Sequence, residues 1–169
     1  MSRRLALDII VDEPQWDAVP DVKPALRRAI DAAASPALVD TLGSARSELA
    51  IVLTSDEAIR ALNRQWRGRD QATNVLSFPS QKAPPRATGP RLLGDVVIAY
   101  ETTASEARAH GVRFDHHLAH LAVHGFLHLL GYDHGSDKEA ETMERLEREI
   151  LARLDMPDPY AIRDEGDGL

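Results

Sequence analysis

Cysteine is absent from this 169-residue chain. That absence excludes disulfides, thiolate metal sites, iron–sulfur ligation and cysteine nucleophiles together. Lysine is scarce, with only Lys23, Lys82 and Lys138, so the basic side of the chain is almost all arginine. No stretch approaches the roughly 20 apolar residues of a membrane span. The first residues break their apolar run with Asp8 and Asp12, unlike a signal peptide, and cytoplasmic placement is the expectation. Histidine is missing before His110, and all seven histidines lie between His110 and His134. A metal site here has to be built from His, Asp or Glu, and the histidines are gathered in one segment.

What is present reads as globular, with 43% hydrophobic and 28% charged residues. The length suits one domain, expected over residues 1–156, with a flexible tail over 157–169. The net charge of −7 argues against a broad phosphate-binding face. The charge is uneven, however: Arg60, Arg64, Arg67 and Arg69 stand within ten residues that contain no acid.

Alternation of Leu5, Leu7, Ile9 and Val11 predicts a half-buried strand. A helix is expected over 22–34, a buried strand over 48–54, and a helix over 56–66 capped by Ser55. Ala58, Ile59, Leu62 and Trp66 form the apolar stripe of that helix. A short strand over 75–78 is stopped by Pro79. Residues 80–91, with Pro84, Pro85, Gly89 and Pro90, read as a surface loop. A strand over 92–100, interrupted at Gly94-Asp95, precedes a helix over 102–110, a helix that starts after Asp115 and ends at Gly131, and a last helix to about Leu154 opened by a Ser136/Glu139 capping box. The expected architecture is α+β: a small mixed sheet of about four strands packed with about five helices, with the histidines on the central helix.

His124 and His128 are four residues apart, so on a helix they share a face. Gly131 can turn the chain in a left-handed conformation, and His134 can then fold back. Two ligands from a helix and one from the following loop leave a fourth position for water, the mark of a catalytic rather than a structural zinc site. The spacing is that of the protease pattern H-E-x-x-H-x-x-G-x-x-H, but Gly125 stands where that pattern has its general-base Glu. His120, one turn earlier, is a fourth ligand, a partner of a ligand or a packed residue, with the last two favoured. His110, His116 and His117 read as solvent-facing or locally structural. Asp95 is a candidate to orient a ligand histidine or to satisfy local backbone, Asn74 and Ser77 to contact substrate or cap a turn, and Asp133 to transfer protons.

The run from His120 to His134 resembles the signature of the YbeY family, bacterial endoribonucleases of ribosomal RNA maturation. Leu62-Asn-Arg-Gln-Trp-Arg-Gly-Arg-Asp70 with Thr73-Asn-Val-Leu-Ser-Phe-Pro79, and Leu92-Leu-Gly-Asp-Val-Val-Ile98, are similar to two further family blocks in the same order. The resemblance implies one zinc ion per chain held by His124, His128 and His134, and a functional arginine at Arg67. Arg64 is a secondary candidate for substrate binding. It further implies ribosomal RNA and the small ribosomal subunit as partners, single-strand-type cleavage in ribosomal RNA processing and ribosome quality control, and neither DNA nor membrane as a partner. Two other readings compete: a metallopeptidase-like hydrolase, favoured by ligand spacing and disfavoured by Gly125, and a non-catalytic zinc-containing ribosome assembly factor.

Overall fold

Leu5, Leu7 and Ile9 are buried and Ala6, Asp8 and Ile10 exposed along strand β1 (Leu5–Val11), as the alternation predicts. The structure, a computed structural model, describes residues 5–34, 46–80 and 91–161. A 3-10 turn (Pro14–Ala18) and helix α1 (Val22–Ala33) follow, then β2 (Ser47–Thr54), α2 (Asp56–Arg67), β3 (Val75–Pro79), β4 (Arg91–Ala99), α3 (Tyr100–His110), α4 (Phe114–Leu129) and α5 (Asp137–Arg153). Most of the expected loop, residues 81–90, lies outside the described residues.

The sheet order is β1-β2-β4-β3. β1, β2 and β4 are parallel, and β3 runs antiparallel along β4 at one edge. The α+β architecture with a mixed four-stranded sheet thus stands. Register puts Leu7, Leu49 and Ile9, Ile51, Val96 on one face, where they join Leu26, Ile30, Phe126, Leu127 and Ile150 from α1, α4 and α5 in the main core. The opposite face is covered by α2, with Ile59 against Val97 and Ala99.

Local chemistry sets the boundaries. The Ser55 hydroxyl accepts from the Ala58 N–H at 3.2 Å and starts α2. Ser136 does the same for α5 through the Glu139 N–H at 3.2 Å. Gly94 does not break β4. It carries φ +132° at the crossing with β3, and a Cβ there would lie 2.2 Å from the Phe78 carbonyl oxygen, so only glycine fits. Pro79 is the last residue of β3 rather than its stop, which an edge strand tolerates. The α2 stripe ends before Trp66, which is 63% exposed.

Candidate metal centre and its cleft

Helix α4 is buried over most of its length, and His124 and His128 project from it half-buried. Its end is fixed by bonds from the Leu130 N–H to the Phe126 carbonyl at 3.1 Å and from the Tyr132 N–H to the Leu127 carbonyl at 3.0 Å. Gly131 takes φ +104° between them, and the reversed chain brings His134 back over the helix end. The three rings close into a triangle with centroid separations of 4.6, 5.0 and 5.7 Å. One ligand atom from each lies within 4.8 Å of the others. His124 Nε2 and His128 Nε2 are 3.1 Å apart, close to the roughly 3.3 Å that tetrahedral ligation with Zn–N of about 2.0–2.1 Å requires. Burial, with His124 and His134 beside it, pushes the His128 imidazole below its ordinary value, toward the neutral form that binds metals. The donor set fits a divalent metal with nitrogen preference.

The carboxylate that meets this set, through His124 alone, is Glu147 of α5. It is fully buried. Its Oε1 lies 2.7 Å from His120 Nε2 and 3.1 Å from His124 Nδ1, and its Oε2 accepts from the Tyr160 hydroxyl at 2.9 Å. Burial pushes this carboxyl up, but the hydrogen bonds and charges of His120 and His124 outweigh it and hold it down at about 2. An ionised Glu147 assigns the proton of His124 to Nδ1, which turns the Nε2 lone pair toward His128 and His134. His120 is therefore a partner of the carboxylate that holds a candidate ligand. The stretch expected as a tail is described only to Ala161, and in that part Tyr160 is docked on Glu147 and His120.

The histidines open onto a cleft of about 690 Å³ whose other wall is β3 and the end of α2, including Arg67, Arg69, Asn74 and Ser77. Arg67 donates from Nη2 to the Ser77 carbonyl at 2.8 Å, and its guanidinium sits 5.6 Å over the Phe78 ring. The Ser77 hydroxyl donates to the Gly125 carbonyl at 3.2 Å. Ser77 thus ties the arginine of α2 to the histidine helix across the sheet edge.

A family model described as endoribonuclease YbeY matches residues 13–155. The chain belongs to the YbeY family. Among curated relatives, an endoribonuclease YbeY of Rhodopseudomonas palustris strain BisA53 is 52% identical over 96% of this chain and 94% of its own. Another, from Bradyrhizobium sp. strain BTAi1, is 53% identical over 95% of each. A solution structure of a Thermotoga maritima protein shares the fold at a TM-score of 0.54 and 22% identity, covering 90% of this chain and 97% of the other.

The remaining candidates divide between the cleft and other parts of this YbeY fold. Arg64 lines a separate groove with Arg60 and Asp70, and Arg60 is paired to Asp70 at 2.9 Å. The four arginines therefore divide between two surfaces, with Arg67 and Arg69 at the cleft. Asp95 pairs in register with Phe78, one residue from Val96, which packs under Gly125. Strand alternation sends the Asp95 carboxylate to the face opposite the histidines, so it cannot orient them. Asn74 is half a turn cap, its Oδ1 accepting from the Val75 N–H at 2.7 Å and its Nδ2 donating to Glu106 at 2.9 Å. Asp133 lines the cleft and accepts from the His134 N–H at 2.7 Å. His117 is locally structural, 2.9 Å from Glu106.

Glu147 and Tyr160 join the histidine cluster through hydrogen bonds that no sequence motif named. A signal for the first was present: Met143, Glu147, Ile150 and Leu151 recur at helical spacing and are the buried residues of α5, so a carboxylate stands in an apolar stripe, where it needs a buried partner.

Proposed function

We propose that this endoribonuclease holds one zinc ion with His124, His128 and His134 and cuts ribosomal RNA, acting on the small ribosomal subunit in the cytoplasm. The observation that carries the reading is the placement of Arg67 across one cleft from a three-histidine cluster whose ligand atoms lie within 4.8 Å of each other. When bound, the metal supplies Lewis acidity toward a phosphate oxygen and lowers the pKa of a water.

The chain's own residues do the rest. Arg67 anchors one nitrogen on the Ser77 carbonyl and offers the remaining N–H groups to a phosphate, stabilising charge that develops on its oxygens. Glu147 keeps His124 in one tautomer. In this reading Asp133, which lines the cleft beside His134, takes or returns a proton. The net charge of −7 is compatible with an RNA substrate because Arg67 and Arg69 concentrate positive charge at the cleft.

Proteolysis is disfavoured by packing as well as by composition. A Cβ on Gly125 would lie 2.5 Å from Val96 Cγ1, so this position meets the sheet and has no room for a glutamate base. The test is metal content of the pure protein paired with cleavage of structured ribosomal RNA. About one zinc per chain is expected, with cleavage falling about 10²-fold in Arg67→Ala, the usual effect of one lost charge-stabilising donor. Cleavage that survives both Arg67→Ala and His128→Ala would assign the activity to a contaminant. Ribosome binding without any turnover would favour the assembly-factor reading.

A further inference from the structure

Trp66 is the most exposed large hydrophobic side chain among the described residues, at 63%. It is the penultimate residue of α2, next to Arg67. Its indole meets the Phe78 ring edge-on, with centroids 6.5 Å apart and planes at 67°, and the same ring lies under the Arg67 guanidinium at 5.6 Å. Phe78 thus props up two flat groups at once. One reaches the cleft and suits a phosphate. The other presents an aromatic surface to solvent just outside it.

A large exposed aromatic beside a cationic cleft has a specific chemical use. Unpaired nucleobases stack on aromatic side chains, and the affinity of single-stranded RNA comes from such stacking joined to arginine contacts with its backbone. We infer that Trp66 is a stacking platform for an unpaired base of the RNA, flanking the phosphate held by Arg67. Arg69, which also lines the cleft, supplies backbone charge on the same side. The platform gives the enzyme a preference for single-stranded over duplex RNA at that nucleotide, since a paired base cannot turn its face to the indole. This inference rests on the endoribonuclease reading and names one determinant of its substrate choice.

The test uses the zinc-loaded full chain and a short single-stranded ribosomal RNA fragment. Trp66→Ala is expected to raise KM about ten-fold or more with kcat nearly unchanged, and Trp66→Phe to recover most of the loss. Removing the base, leaving an abasic site, at each position in turn is expected to find one position where wild type loses that affinity and Trp66→Ala loses nothing further. Trp16 is fully buried, so quenching of indole fluorescence on RNA addition reports Trp66 and is expected to vanish in Trp66→Phe. An unchanged KM in Trp66→Ala, with wild type still cutting, overturns the platform alone. The same follows if the substitution instead changes self-association of the chain. Failure of wild type to cut any RNA overturns the underlying reading.

Discussion

Gly125 decides a question of chemistry by an argument of packing. Two effects of Gly125→Ala oppose each other. Helix propensity favours alanine by about 1 kcal/mol, while the new methyl would stand 2.5 Å from Val96 Cγ1, on a fully buried β-branched side chain with little freedom to move. Overpacking of this kind costs about 1–3 kcal/mol, so the substitution is expected to lower the melting temperature; an unchanged or raised value would show that the sheet yields. His117 gives a second prediction at this scale. Burial lowers its pKa from the ordinary 6.5, Glu106 opposes that shift, and His120 and His110 add to it. The unfolded chain then takes up the proton first as pH falls, so this group's stabilisation is complete above pH 6.5 and is lost below it. His117→Gln should flatten the decline of the urea midpoint below that pH. Parallel profiles for variant and wild type would deny it the role.

Between elements, the contact that matters most is α5 on α4 through Glu147. The carboxylate fixes the tautomer of His124, and loss of such a partner weakens metal binding about 10–100-fold. Glu147→Gln is expected to show that loss in a competition titration with a chelator, and Tyr160→Phe a smaller one; wild-type affinity in Glu147→Gln would show that the helix alone orients the ring. These elements also show what a sequence can disclose. Strands with β-branched alternation, the Ser55 and Ser136 caps, and the histidine spacing are local properties, so the sheet, the helices and the histidine cluster were legible. The Glu147–His124 bond joins residues 23 apart, and no local pattern names the partner. Asp95 failed as the orienting carboxylate because which face a residue takes depends on strand register, fixed here by the β3–β4 pairing. The arginine cluster looked continuous in sequence, but helical geometry and the Arg60–Asp70 pair separate it into two surfaces.

Across the whole molecule, the site is assembled at a sheet edge from parts that lie on opposite faces. Helix α4 brings histidines from one face, α2 brings Arg67 from the other, and Ser77 of β3 bonds to both. The three candidate ligand atoms lie within 4.8 Å of one another in the folded chain, so zinc held there as proposed would stabilise the folded state over the unfolded one. With free zinc at 100 times its Kd the gain is about 2.7 kcal/mol, a rise of about 5–10 °C in melting temperature for a chain of this size. A melting temperature indifferent to zinc would contradict a site in the folded state. In the proposed reaction the metal, its histidines and RNA cleavage stand or fall together. The most direct test is a zinc titration of metal-stripped protein read by the rate of ribosomal RNA cleavage. The rate should rise linearly, break at one equivalent per chain, and stay at background throughout in His128→Ala. A rate independent of zinc, or an undiminished rate in His128→Ala, would contradict the account.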